Sequence, residues 1–426
     1  MRTAAVRYGS RGICVRTALH LDRSLEYVKD DRMNIAGFIK RKFGNRRGLL
    51  DYSLFFIVLF LLSFGLVMLY STSSYEAAAE YGDSAYYLKR QMIFTLFGLV
   101  LMTGVSMIPY TLWKKLSGLA YLVSLVLILL VIPFGMEVNG AKRWIRIPGL
   151  PMQLQPAEVA KIGVIVFCAM IIERLGRKAL ATVRGFIFPM IPAVVVAGML
   201  WKITDNLSSA IIVVAIVFGM LFVACPDYGK FIGITVLGAV AVIGLVWYTI
   251  NSADTNSLDF RGERVLAWLD PQAYAGGKGY QTIQALYAIG SGGIFGKGLG
   301  QSMQKLGFIP EAQNDMIFSI ICEELGLFGA TSIMLMFVLL LWRFMMIANS
   351  ADDFYGAMLV VGVISHIAVQ VILNIAVVTN TIPNTGVTLP FISYGGSSVF
   401  FLLSEIGIVL SVARGMRDEE LAKFGY

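Results

Sequence analysis

Ten apolar runs, each long enough or nearly long enough to cross about 30 Å of hydrocarbon, dominate the chain. They cover residues 53 to 72, 91 to 109, 116 to 134, 158 to 173, 185 to 201, 208 to 225, 229 to 249, 316 to 342, 353 to 379 and 393 to 413. Of the 426 residues 57% are hydrophobic and only 15% charged, well below the roughly 25% charged residues of a soluble domain. The expected fold class is all-α: a polytopic integral membrane protein with ten transmembrane helices and a large extracytoplasmic loop between helices 7 and 8. Several runs are short or carry polar residues, which suits neighbours shielding one another in one bundle. Runs six and seven are separated only by Pro226, Asp227 and Tyr228, with Pro226 as the breaker of a tight turn.

Basic residues orient the bundle. Residues 1 to 52 hold 12 of the 35 Lys and Arg residues and read as a cytoplasmic arm, disordered or lying on the membrane, with Met33 as an alternative first residue. Arg174, Arg177 and Lys178 anchor a short inner loop between spans four and five. The ten-span membrane domain covers residues 53 to 413, the outer loop residues 250 to 315, and a cytoplasmic tail residues 414 to 426. The net charge of +8 is thereby a topology signal, and no nucleic-acid partner is expected. Cys14, Cys168, Cys225 and Cys322 have neither disulfide nor zinc spacing.

Four outer strings carry chemistry. In residues 139 to 161, Lys142, Arg143 and Arg146 lie on the side where basic residues are disfavoured, so an anionic partner is expected. Glu158 and Lys161 follow at i and i+3 on a helix opened by Pro156, as an internal ion pair, a wall of a substrate cavity, or both. In residues 259 to 271, Arg261 and Arg264 share one helical face beside apolar Phe260, Val265 and Trp268, suiting a helix on the outer leaflet whose guanidinium groups meet phosphate. The glycines between 290 and 300 read as turns near lipid headgroups.

In residues 310 to 326, Asp315 precedes Met316, Ile317 and Phe318. An apolar neighbourhood of this kind raises a carboxyl's proton affinity, so Asp315 is the candidate general base, although the same position would suit a helix N-cap. Glu323 and Glu324 would enter the membrane on a continuous helix. In residues 384 to 398, Pro390, Gly395 and Gly396 interrupt the run around Ser393, Ser397 and Ser398, as backbone lining a cavity does. Gln370 and Asn374 on span nine could line the same space, and His366 reads as a hydrogen-bonded packing residue. Ser302 and Lys305 fit an S-x-x-K acyl-transfer pattern by chance, since no K-T-G accompanies them.

The strings GAKRWI, LQPAEVAK, FRGERVLAWLDP, GYQTIQALYAIGSGGIFGKGLG, PEAQNDMIFSIICEELG and NTGVTLPFISYGGSS together resemble the SEDS family of bacterial cell-wall polymerases, the group of FtsW, RodA and SpoVE. The resemblance spans about residues 50 to 415 and sits nearer the FtsW and SpoVE branches than RodA. It implies ten transmembrane helices and a glycosyltransferase that polymerises lipid II, the undecaprenyl-diphosphate-linked disaccharide pentapeptide, outside the cytoplasmic membrane. It also implies a class B penicillin-binding protein transpeptidase as partner, other divisome proteins nearby, and septal or spore wall synthesis. The family's essential aspartate falls on Asp315, its loop arginines on Arg261 and Arg264, and its QPSE-type motif on Gln155, Pro156 and Glu158, with Ala157 in place of serine. Asn206 in the DNLSSA string stands where the family commonly has aspartate, which removes a carboxylate from that outer site.

Chain growth by such an enzyme needs a base for the attacking sugar hydroxyl and countercharge for the departing diphosphate. Asp315 suits the first, and Arg261, Arg264, Lys142 or Arg143 the second, with a divalent cation, Mg or Mn, as an optional addition. Sugar contacts would fall to Gln155, Glu158, Lys161, Ser393, Ser397 and Ser398. A lipid II flippase has the same ten spans and broken helices, and a scaffold or a RodA-type elongation polymerase are further alternatives. Small residues at Gly326 and Gly329 on span eight, and Gly356 and Gly362 on span nine, are candidate partner contacts.

Overall fold

Asp51 starts the membrane bundle by accepting the Leu54 backbone N–H at 3.0 Å, which caps α1 (Tyr52–Tyr81). The same carboxylate takes the Arg343 guanidinium at 2.8 Å and so ties the start of α1 to a helix nearly 300 residues away. The structure, a computed structural model, describes residues 51–138, 141–146, 153–251 and 260–415. The basic arm and the tail beyond residue 415 lie outside the described residues.

After α1 come α2 (Tyr86–Met107), α3 (Tyr110–Phe134), β1 (Gly135–Val138), β2 (Ala141–Arg146), β3 (Gln153–Leu154) and α4 (Pro156–Leu180). Then follow α5 (Val183–Ile203), α6 (Leu207–Ala224), α7 (Gly229–Asn251), α8 (Phe260–Leu269), α9 (Lys278–Gly292), α10 (Ile317–Asn349), α11 (Phe354–Val378) and α12 (Ser397–Ala413). Every expected apolar run coincides with a helix. Seven of these helices are long and apolar enough to cross a membrane among the described residues. The remaining three are α4, which carries ionic residues at both ends, α7, and α12, which has 17 residues.

Side-chain caps explain the tight inter-helix turns. Thr182 accepts from Gly185 N at the start of α5, Asn206 from Ser209 N at α6, and Asp353 from Gly356 N at α11. Each satisfies a backbone donor that lipid could not. Within the bundle α2 packs along α12, α3 along α4, α5 along α6 and α6 along α11. The centre is α11, with 61% of its apolar window buried, whereas α3 at 22% faces outward.

Two features depart from the expected loops. β1, β2 and β3 form a small antiparallel sheet in the order β1-β2-β3, with Glu137 opposite Lys142. In β2 Ile145 is buried while Lys142 and Arg146, on the opposite face, are exposed, although the apolar residues of AKRWIR do not alternate and so gave no period-2 signal. Residues 278 to 292 form the helix α9 where a glycine-rich loop was expected. Its small face, Thr282, Ala285 and Ala288, ends at Gly292, where a Cβ would sit 1.9 Å from the Cys322 carbonyl oxygen.

The partner-contact expectation is also revised. A Cβ at Gly326 would meet the Gly296 backbone at 2.3 Å. At Gly356 it would meet Asp353, Tyr110 and Val412, and at Gly362 Ile165 and Met220. These three glycines pack inside the molecule and present no free face.

Candidate active site

Asp315 sits in the turn immediately before α10. It does not cap that helix: the N-cap position is Met316, and no side chain makes a cap bond there. Instead, Asn374 on α11 donates through Nδ2 to the Asp315 backbone carbonyl at 2.7 Å and to the Val387 carbonyl at 2.8 Å. One amide thus holds both the aspartate and the broken segment 384 to 396.

The carboxylate has lighter bonds. Gln281 Nε2, on α9, reaches Asp315 Oδ1 at 3.5 Å and the Pro310 carbonyl at 3.2 Å. Asn384 Nδ2 donates to Gln281 Oε1 at 2.9 Å, and Arg264 Nη1 donates to the Asn384 carbonyl at 3.2 Å. Arg264, Asn384, Gln281 and Asp315 therefore form one chain of contacts across four segments: α8, the broken segment, α9 and the turn before α10. Gly386 lies opposite, and a Cβ there would be only 3.9 Å from Asp315 Oδ2, so the carboxylate faces bare backbone. Burial pushes the Asp315 carboxyl up to about 6, with the Glu311 charge adding to the rise and the Arg264 charge opposing it. A carboxylate so placed is still largely ionised at neutral pH yet is a stronger base than an ordinary aspartate.

Glu158 and Lys161 form a buried ion pair at 2.8 Å, and Ser398 Oγ donates to Glu158 Oε2 at 3.4 Å. Gln155 occupies the α4 N-cap position without a side-chain cap bond. Ser393 Oγ accepts the Leu389 N–H at 2.8 Å and closes the broken segment, while Ser397 is buried at the start of α12. The segment and the first turn of α12 thus touch both groups, Asn374 and Asp315 at one end and Glu158 at the other. Lys142 is exposed. Arg143 donates through Nη2 to the Asp205 carbonyl at 2.8 Å and so fastens the sheet to the turn before α6. Ser208 at the start of α6 donates to the Thr385 carbonyl at 2.6 Å. Arg261 lies in the first turn of α8, and its side chain falls outside the described residues. Trp268 on the same helix donates to the Asn380 carbonyl at 3.0 Å, so α8 is docked on protein as well as facing outward.

A second ionic network supports the loop that carries Asp315. Lys297 Nζ pairs with Glu323 at 2.7 Å and Lys305 Nζ with Glu324 at 2.7 Å. Ser71 on α1 donates to Glu324 at 2.8 Å, and Ser302 donates to Glu323. Both carboxylates are fully buried, and each is paired, as burial of charge demands. The S-x-x-K residues are therefore ligands of two glutamates, with no acyl-transfer geometry. Gly326, at φ 68°, kinks α10 just beyond the network, so the helix carrying both glutamates is not continuous. The glycines of 292 to 298 let the loop backbone lie against that kink, with Lys297 N on Glu323 O and Gly298 N on Glu324 O, both at 2.9 Å. Sequence reading missed this role, although the unexplained Glu323 and Glu324 were its signal.

His366 is hydrogen-bonded as expected, its Nδ1 2.8 Å from Glu405 Oε2. Among the described residues no group of three His, Cys, Asp or Glu side chains is gathered to hold a metal ion.

This architecture is shared with known proteins. The chain is 39% identical over 369 residues to stage V sporulation protein E of Bacillus subtilis, covering 86% of this chain and 98% of that protein. It is 40% identical over 369 residues to a probable peptidoglycan glycosyltransferase FtsW of Trichlorobacter lovleyi, covering 86% and 94%. Among solved structures it matches a chain from a peptidoglycan synthase complex in which polymerization and crosslinking are coordinated. That match has a TM-score of 0.70 and 30% identity, and it covers 87% of this chain and 99% of the other. The rod shape determining protein RodA of Thermus thermophilus matches with a TM-score of 0.60 and 26% identity, over 87% and 98% of the two chains. The family model FTSW_RODA_SPOVE, described as cell cycle protein, matches residues 52–418, and the chain belongs to that family.

Proposed function

We propose that this chain is a peptidoglycan glycosyltransferase that polymerises lipid II into glycan strands on the outer face of the cytoplasmic membrane, for septal or spore wall synthesis. The observation that carries the reading is Asp315, raised to about 6 by burial and joined to Arg264 through Gln281 and Asn384. The sugar hydroxyl of one lipid-linked disaccharide attacks the anomeric carbon of the growing chain. Its oxygen forms the new glycosidic bond, its proton passes to Asp315, and the bond from that carbon to the polyprenyl diphosphate breaks with the electron pair leaving on the phosphate oxygen. A positioned base of this kind accelerates such a step by roughly 10² to 10⁴. Arg264, with Arg261 on the same helix, supplies the positive field for the departing diphosphate. A single displacement inverts the anomeric centre, and a diphosphate leaves without a separate acid.

Glu158, Lys161 and Ser398 hold the sugar-facing wall, and the class B transpeptidase crosslinks the strands. Purified protein supplied with lipid II and assayed for glycan on gels tests the activity, and Asp315→Asn tests the base. Polymer from the wild type alone separates an enzyme from a flippase. Wild-type product from Asp315→Asn would reject the assignment of the base. Co-purification with the organism's own class B transpeptidase in mild detergent tests the partner, and full activity without a detectable complex in detergent or lipid discs would count against it.

A further inference from the structure

Four tyrosines gather at the α1–α2 turn beside the loop carrying Asp315, and the site described above uses none of them. Tyr81 closes α1, and Tyr86 and Tyr87 open α2. The Tyr81 and Tyr86 rings stack at 3.9 Å with 8° between planes. Tyr87 stands edge-on to Tyr81 at 5.9 Å, to Tyr86 at 5.5 Å and to Tyr394 at 5.0 Å. Tyr394 belongs to the broken segment, and its backbone N–H donates to the Gln313 carbonyl at 2.9 Å, two residues from Asp315. The cluster is therefore continuous with the site and fixed to it by a backbone bond.

The chemistry of this rim selects a particular ligand. Aromatic faces edged by hydroxyls pair with flat apolar surfaces that carry polar groups at their margins, which describes a pyranose ring. Tyr81 remains 45% exposed, so the rim is open to a ligand. Arg90 lies over the Tyr86 ring at 5.6 Å and donates to its hydroxyl at 3.0 Å, which rigidifies that ring. The charges of Glu76 and Glu80 act on Tyr87 and that of Arg90 on Tyr394, so the rim is mixed in charge and is not a dedicated phosphate site.

We propose that Tyr81, Tyr87 and Tyr394, with Tyr86 stacked against Tyr81 as its support, form a saccharide-stacking subsite that holds N-acetylhexosamine rings of a glycan strand next to the reacting pair. This rests on the polymerase reading above. The diphosphate end lies toward Arg264 and the neutral sugar rings toward the tyrosines, so the strand is held while the next unit is added.

Two readouts test it. In polymerisation of lipid II, the Tyr81→Ala/Tyr87→Ala variant should shorten product strands several-fold more than it slows lipid II consumption, while Tyr81→Phe/Tyr87→Phe keeps strand length. Separately, saturation-transfer NMR with the β-1,4-linked N-acetylglucosamine tetramer should detect binding to the inactive Asp315→Asn protein. That signal should be lost with the alanine pair, kept with the phenylalanine pair, and insensitive to salt. If the double alanine variant does not elute as a single species, Tyr81→Ala alone carries both tests, because that side chain is exposed. Unchanged strand length and unchanged tetramer signal with alanine, or phenylalanine as damaging as alanine, would overturn the subsite. Absence of polymer from the wild type would instead reject the polymerase reading, and the tetramer measurement would still decide the rim.

Discussion

Asn374 binds the Asp315 backbone carbonyl at 2.7 Å and leaves the Asp315 carboxylate untouched. The contact therefore sets where the aspartate stands without directly stabilising its charge. The second proton of the same amide holds Val387 at 2.8 Å, so the candidate base and the broken segment opposite it cannot move independently.

Loss of that amide should be felt in rate and in stability. Asn374→Ala leaves two carbonyls without their donor, a cost of about 1–3 kcal/mol per buried group. Asn374→Asp should be worse, because an acceptor then faces two acceptors. Polymerisation is expected to fall about 10- to 100-fold in either variant as geometry loosens, read by lipid II consumption beside a thermal melt. A wild-type rate in both would remove Asn374 from the positioning of Asp315.

The pH profile follows from Asp315. A base must be ionised, and this carboxyl titrates near 6, so the rate should rise with pH through about 6 and level above it. Asp315→Asn should abolish that limb together with a 10² to 10⁴ share of the rate. The raised value also means that ionisation opposes folding: the penalty is absent below the ordinary carboxylate range and fully present above about 6. At pH 7.5 the Asn variant should accordingly melt no lower than wild type. A clearly lower Tm would make the carboxylate a structural group.

Arg264 spends one N–H on the Asn384 carbonyl at 3.2 Å. Arg264→Gln should weaken use of the diphosphate-linked substrate about tenfold or more, and Arg264→Lys should rescue it only in part, since an ammonium lacks the planar fork. The same pair of changes at Arg261 should behave alike. Equal kcat/KM across Arg, Lys and Gln at both positions would reduce these side chains to anchors of α8.

The Lys305–Glu324 pair predicts a stability pattern. Lys305→Met strands a buried carboxylate and should cost about 3–5 kcal/mol, whereas Lys305→Met with Glu324→Leu removes both charges and should recover much of that loss. Thermal unfolding in detergent, with all four combinations compared, measures the coupling. Independent, additive effects would show that the pair does not hold the loop.

Length and hydropathy alone determined the helical membrane class and the position of every long helix, because the absence of water leaves an apolar run no other way to satisfy its backbone. Asp315 was legible for a related reason: a carboxylate directly before an apolar helix is costly and therefore conspicuous. Arg264 was legible as a basic residue on an amphipathic helix. Partnership was decided only by the tertiary structure. Gln281, Asn374 and Asn384 converge on Asp315 and Arg264 from α9, α11 and the broken segment, and no local pattern encodes a contact between residues 34 to 120 positions apart. Glu323 and Glu324 were visible as anomalies, but their lysines lie in a loop whose path depends on the backbone approach at Gly296 and Gly326. The four tyrosines likewise become one surface only when the segment bearing Tyr394 packs on the first turns of α2, where the Gln91 side chain holds the Ser393 carbonyl and the Gly395 N–H, each at 3.5 Å.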